Sequence, residues 1–380
     1  MRLLGKGNYA YACTRVKAKK RFLLSRDAYS RLLLMDVHEI GRFLGETQYR
    51  DEMTRYASKY SGANLVEVSV TKNLAETYSD ILSFTTGHLR DMVGNYLKRW
   101  DMFNVKTILR GKLTEVRDEE IIDMLVPAGA FSEDYLKSLV TMTSVQEIMD
   151  ALVLEPSLGI TPELVREVVD SKRIARFEDH LDKNLYYDLL KVVKGTDRAD
   201  KILMDFVRRE VDVTNLKVLL KLKAEKIPED RIAKYLIPGG MEFGLDKLRA
   251  MAQAEGLIPI IEELEKSSMY EDIKPALDRF KEDRKLSAIT IALDYALIYK
   301  SEKFAHFYPL SVLPIVNYMI KKKVEVDNIR IISRGKQSGL PTKVIEELLV
   351  VWDGDSSRGF RGVRDRVPAS GHQEGVQRHA

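Results

Sequence analysis

Cysteine is nearly absent, with Cys13 alone in 380 residues. One thiol cannot close an intramolecular disulfide, so a packed core must hold the fold, and a reducing compartment fits best. In Tyr9-Ala-Tyr-Ala-Cys13-Thr-Arg that thiol reads as a buried small hydrophobe on a helical face. A zinc site is disfavoured too, because six dispersed His and no His-Glu-x-x-His do not supply the usual ligand sets. His38, His88, His180 and His306 each stand alone in a helical stretch, so a structural or surface role is expected for each. Long apolar runs are also missing. The longest uncharged run, Phe307 to Ile320, is shorter than the ~20 residues of a membrane span and carries Pro309 and Pro314; it reads as a buried core helix. Met1 to Lys20 is basic but lacks the apolar stretch and cleavage site of a signal peptide, so no export is expected. Alternating strand patterns bounded by Asn-Gly or Asp-Gly turns are not found. Nucleotide motifs are absent as well: Leu4-Gly5-Lys6-Gly7 and Arg334-Gly335-Lys336-Gln337 fall short of a P-loop, and no Gly-x-Gly-x-x-Gly follows a strand. With no acid pair standing out from solvated helix faces, nothing argues for an enzyme, a cofactor or a small-molecule substrate.

What is present is globular and helical in character. Hydrophobic residues make up 45% and charged residues 31%, with few Pro (11) and Gly (22), a balance that excludes a disordered chain and leans towards helix. The length suits two or three domains. A net charge of +4 and a pI of 8.8 arise from mixed charges, a weak pointer to an acidic partner or a membrane surface and a weaker one to nucleic acid.

The main signal is a segment that occurs three times: Asp101-Met-Phe-Asn104-Val-Lys106-Thr-Ile-Leu-Arg110-Gly-Lys112, Asp212-Val-Thr-Asn215-Leu-Lys217-Val-Leu-Leu-Lys221-Leu-Lys223, and Glu325-Val-Asp-Asn328-Ile-Arg330-Ile-Ile-Ser-Arg334-Gly-Lys336. Counted from the Asn, an acid stands at minus three, apolar residues at plus one and four, and bases at plus two, six and eight. Asn104 and Asn215 are 111 apart, Asn215 and Asn328 113. The match extends outward: Arg117, Pro228 and Pro341 follow thirteen residues after each Asn, Pro228 and Pro341 suiting a first helical turn. Pro127 and Pro238 follow in Leu-Val-Pro-Ala-Gly and Leu-Ile-Pro-Gly-Gly, and the third copy reaches the equivalent place at Val351. About thirty residues upstream of each Asn lie Asn73-Leu74, Leu181-Asp182 and Leu293-Asp294, which read as helix faces.

The apolar positions of the segment fall on one stripe at 100° per residue with the bases opposite, the pattern of a helix. The acids suit N-termini, and Gly111 and Gly335 suit C-terminal stops. Ser144-Val-Gln-Glu147 reads as a capping box and Thr161-Pro162 as a cap with a first-turn proline. The expected fold is all-α, in three similar units over 1–115, 116–226 and 227–351. A period near 111 is too long for a solenoid repeat and suits small domains, which could close into a pseudo-threefold body or extend in a line. Residues 352–380 contain no Lys, Leu, Ile or Tyr, and read as a disordered or non-native tail. Two readings of the signature stand side by side. In one, Asp101, Asp212 and Glu325 cap, Asn104, Asn215 and Asn328 satisfy local backbone, and the bases are solvated. In the other, Lys106, Arg110, Lys217, Lys221, Arg330 and Arg334 face a shared cavity or surface and meet an acidic partner.

The N-terminal Tyr9-Ala-Tyr-Ala-Cys-Thr-Arg15-Val-Lys17-Ala-Lys-Lys-Arg-Phe-Leu23-Leu24-Ser25, the three Asn-centred segments and the close at Glu346-Glu-Leu-Leu-Val-Val351 together resemble the C subunit of archaeal-type (A/V-type) ATP synthases, a relative of the d subunit in vacuolar proton pumps. The resemblance covers residues 1 to about 351. It implies a funnel-like, three-unit helical protein, monomeric in its complex. Such a protein is peripheral on the cytoplasmic side of the cell membrane. There it rests on the proteolipid ring and receives the foot of the rotor shaft, made of the D and F subunits. The implied role is a non-catalytic coupling during proton or sodium transport, with no nucleotide, ion or cofactor bound. A basic helical protein that binds nucleic acid is the alternative, recognisable by steep salt dependence.

Overall fold

The computed structural model describes residues 7–192 and 198–351, and among these there are helices and no strand. The tail at 352–380 lies outside the described residues. After an N-terminal helix α1 (Tyr9–Lys20), one order of helices occurs three times. Three short helices, α2 (Arg26–Leu32), α3 (Val37–Leu44) and α4 (Arg50–Tyr56), lead into long α5 (Gly62–Phe84). Next come α6 (Gly87–Leu97) and α7 (Arg99–Leu113), parted only by Lys98, and short α8 (Asp118–Met124). The second pass runs α9 (Glu133–Thr141), α10 (Val145–Val153), α11 (Pro162–Ser171), α12 (Ala175–Val192), α13 (Arg198–Ala224) and α14 (Glu229–Tyr235). The third runs α15 (Leu245–Gln253), α16 (Ile258–Glu265), α17 (Tyr270–Asp283), α18 (Leu286–Phe307), α19 (Leu313–Gln337) and α20 (Thr342–Glu347). The signature segments lie in α7, α13 and α19.

These three helices end alike. Each closes in a left-handed residue eleven positions after the Asn, at Glu115, Lys226 and Gly339. The following N–H bonds back to the carbonyl of Gly111, Leu222 or Gly335, the six-to-one bond of a Schellman-type cap. Gly111 and Gly335 are therefore not the stops the sequence suggests. Their role is close approach: a Cβ on Gly111 would sit 2.6 Å from Ile121 Cδ1 of α8, and one on Gly335 2.7 Å from Ile345 Cγ1 of α20. Arg117, Pro228 and Pro341 occupy the N-cap of the short closing helices, one place before the expected first turn.

Other local expectations fare unevenly. Thr161 stands at the N-cap of α11 without a side-chain capping bond, and Pro162 fills the first turn as expected. At α10 the Ser144 hydroxyl accepts from Glu147 N, while the Glu147 carboxylate accepts from Thr143 N, so only half a capping box forms there. A complete one stands at Asp36 and Glu39. Phe307 to Ile320 is not one buried helix: Phe307 ends α18, Leu310 lies exposed in the turn, and Leu313 to Ile320 opens α19.

The core forms two clusters. The larger joins residues from Ala12 to Val211 with Ile237, with Val312 and residues Leu313 to Ile332 of α19, and with Ile345 and Leu349. The smaller runs from Val213 to Ala296. Helix α13 thus packs its first half into one and its second half into the other, while α19 packs closely against α5 and α18. A helix with apolar residues on most of its circumference is stable only when surrounded. In α19 even Lys321 and Lys322 are buried.

Candidate functional site

The three signature asparagines make the same pair of bonds. Asn104 Nδ2 donates to Val126 O and its Oδ1 accepts from Val126 N, both at 2.8 Å. Asn215 does the same to Ile237 at 2.8 Å and 2.8 Å, and Asn328 to Val350 at 2.7 Å and 3.0 Å. In every case the clipped residue is 22 positions on, beyond the short closing helix. A side-chain amide offers one donor and one acceptor in a fixed plane, which matches one extended residue's N–H and C=O. All three are buried, at 0%, 0% and 1% exposure.

The acids three residues earlier do not cap their own helices. Asp212 and Glu325 lie well inside α13 and α19, and Asp101, although in the first turn of α7, points at a loop. Asp101 accepts from Ala130 N at 2.8 Å and Phe131 N at 3.0 Å. Asp212 accepts from Met241 N, Glu242 N and Phe243 N at 2.9, 2.8 and 3.1 Å. Gly129 and Gly240 make room, since a Cβ on either would meet an aspartate Oδ1 at 2.1 Å. Burial pushes both carboxyls above their ordinary value, and the backbone N–H groups oppose it. Glu325 has another set of donors: Leu24 N, Gln48 Nε2 at 2.8 Å, Tyr49 Oη at 2.5 Å and Lys322 Nζ at 3.2 Å.

Five of the six bases meet polar groups of this same chain. Lys106 pairs with Asp182 at 2.5 Å, and Arg110 with Glu178 through two bonds at 2.5 and 2.8 Å, both on α12. Lys217 holds Asp294 of α18 at 2.8 and 2.7 Å. Arg334 bonds Glu67 of α5 at 2.8 Å, and Arg330 donates to Thr71 Oγ1 at 2.5 Å and stands 3.8 Å from Asp327. The sixth, Lys221, is exposed, with no carboxylate within ion-pair distance among the described residues. Each signature helix is thus bonded to the long helix of the next pass, and the third to that of the first. Two further contacts join α6 and α7 to α13: Arg99 to Glu210 at 2.5 and 3.2 Å, and His88 Nε2 to Asp200 at 2.7 Å.

Residues 12–348 match the model of the ATP synthase (C/AC39) subunit family. The chain belongs to that family. It is 37% identical to the A-type ATP synthase C subunit of Methanosarcina acetivorans over 91% of this chain and 94% of the relative. The corresponding protein of Archaeoglobus fulgidus is 35% identical, over 92% and 99%, and that of Halobacterium salinarum 30%, over 91% and 99%. The chain is accordingly similar to rotary ATP synthase subunits over nearly its whole described length.

The sequence does not reveal the buried charges of α19. Lys321 and Lys20 share Glu302, at 2.8 and 2.7 Å. Burial brings the Lys321 ammonium down to about 8, and Glu302 is held below its ordinary value by the two lysines despite its own burial. Consecutive lysines in a helix look like a solvated face, and only the packing of α19 against α5, α18 and α1 buries Lys321 and Lys322 while Lys323 stays exposed. Cys13 is buried, its thiol pushed up to about 11 by desolvation, and donates to Ser311 O at 3.3 Å. Among the described residues no three His, Cys, Asp or Glu side chains gather to hold a metal, and no helix is long and apolar enough to cross a membrane.

Proposed function

We propose that this chain is a non-catalytic central-stalk adaptor of a rotary ATP synthase. It receives the foot of the rotor shaft, the D and F subunits, and rests, peripherally, on the cytoplasmic face of the proteolipid ring. Torque then passes between the nucleotide-handling head and proton or sodium transport. Membership of the family supports the assembly, and the relatives' own name, the C subunit of an A-type ATP synthase, is the basis for carrying it here.

The observation that carries the mechanism is the cyclic order of contacts: α7 to α12, α13 to α18, α19 to α5. That order supports a closed, pseudo-threefold, funnel-like arrangement of three helical units rather than a line. The proposed units are 1–115, 116–226 and 227–351, and the asparagine clips, which tie each closing helix to the signature helix before it, favour moving the first two boundaries to the far side of α8 and α14. A coupling needs stiffness and two protein faces. The clips and loop anchors supply stiffness by bonding buried backbone across helices.

Of the six bases proposed for the shaft, Lys221 is the one with no carboxylate in ion-pair reach among the described residues, so an acidic shaft segment meets it without breaking a seam. The test is a pull-down of purified D–F shaft at low and high salt by the intact chain and by Lys221→Glu. Weaker capture by the variant at low salt, with unchanged melting, supports the reading. Undiminished capture removes Lys221 from the interface, and absent capture by the intact chain sinks the adaptor reading.

A further inference from the structure

We infer that the N-terminal segment 22–25 takes, at the third seam, the place that connecting loops take at the first two, and that Glu325 is the latch that holds it. The signature acid identifies the equivalence. Asp101 accepts from Phe131 N and Asp212 from Phe243 N. Each of those residues is buried and stands two positions before a short helix, α9 or α15, that begins the next pass. Leu24 is the counterpart on every count: buried, two positions before α2, its N–H given to Glu325. Ser25 and Ser132 then cap α2 and α9 in the same way, accepting from Ala28 N and Tyr135 N.

The covalent connection differs. At the first two seams the clipped residue and the anchored residue belong to one short stretch, Val126 to Phe131 and Ile237 to Phe243. At the third they are Val350 and Leu24, at opposite ends of the sequence. The third seam is therefore the one that opens without any loop being stretched. Its latch gathers more donors. Glu325 is one methylene longer than aspartate and fully buried. It gathers a backbone N–H, the Gln48 amide, the Tyr49 hydroxyl and the Lys322 ammonium, which itself donates to Tyr49 Oη at 2.9 Å. Arg334 to Glu67 and Tyr78 Oη to Met319 O, at 2.7 Å, close the same seam further along.

Hydrogen exchange of the full chain tests this. It rests on the closed three-unit reading but uses no partner protein, so failure of the latch and failure of shaft binding appear in separate experiments. Glu325→Gln is expected to speed exchange over residues 9–25 by about tenfold or more, the loss of one charged hydrogen bond, while 130–131 and 241–243 keep their rates. Asp212→Asn is expected to do the reverse, loosening 241–243 and leaving 9–25 protected. Unchanged protection of 9–25 in Glu325→Gln, or equal loosening at all three places, overturns the inference. Should Glu325→Gln fail to fold, the unaltered chain in rising sub-denaturing urea decides it. Opening of 9–25 at lower urea than 126–131 and 237–243 supports the latch, and simultaneous exchange of all three with global unfolding refutes it.

Discussion

Replacing Asn215 by Ala removes a side chain whose amide donates to and accepts from Ile237. The Ile237 N–H and C=O are then left without their partner inside a buried seam, and Leu236 and Ile237 are themselves buried, so water cannot enter without displacing core. Each unsatisfied buried group costs about 1–3 kcal/mol, giving ~2–6 kcal/mol for the pair. Against a total stability of about 5–15 kcal/mol this is a large fraction. Urea denaturation followed by helical circular dichroism measures it, with Lys221→Ala, an exposed change expected within about 0.5 kcal/mol, as the control. Asn215→Asp sharpens the test. Its ionised form cannot donate to Ile237 O, whereas its protonated form both donates and accepts. Its folded pKa is therefore raised, and the penalty, present at neutral pH, shrinks as pH falls through that value. A loss below about 1 kcal/mol in Asn215→Ala, or an Asn215→Asp penalty that grows on acidification, refutes the clip as the source of stability.

Asn104→Ala and Asn328→Ala are expected to lose stability on the same scale, with faster amide exchange confined to Val126 and Val350 respectively. Gly240→Ala, whose Cβ would meet Asp212 Oδ1 at 2.1 Å and Phe243 O at 2.8 Å, is expected to destabilise by about 1–3 kcal/mol and to release the 241–243 amides. Lys321 binds its proton less tightly when folded, so its contribution to stability rises with pH between about 8 and its unfolded value of 10.5. Relative to Lys321→Met, the intact chain should gain about 2 kcal/mol between roughly pH 7.5 and 9.5 in urea denaturation. Arg334→Glu places like charges beside Glu67 at the third seam and should lower the melting temperature. Lys221→Glu should not.

The repeat is legible because its period and polarity survive in the residues themselves, and the equivalence of Asn104, Asn215 and Asn328 follows from it. Their partners are not. A side chain that clips backbone 22 residues away, past a helix that folds back, leaves no local pattern. The acids mislead for a related reason. An acid three positions before an apolar stripe looks the same whether it caps its own helix or anchors a loop, and only Gly129 and Gly240, small where Asp101 and Asp212 reach in, signal the second. The bases do lie opposite the apolar stripe, yet that face packs on a neighbouring long helix. Asp182 and Asp294 belong to another shared element, and nothing in the residues themselves shows that the two elements meet. Phe307 to Ile320 carries no charge to mark the turn at Tyr308, and its two prolines are the only hint of a break.

The adaptor reading is tested most directly by a bridging experiment: proteolipid ring immobilised in detergent, D–F shaft in solution, and this chain added or withheld. Shaft retained on the ring only when the full chain is present is the expected result, with a single copy of the chain on each ring. A folded chain that binds neither component, or one that retains shaft no better than a control protein, contradicts it.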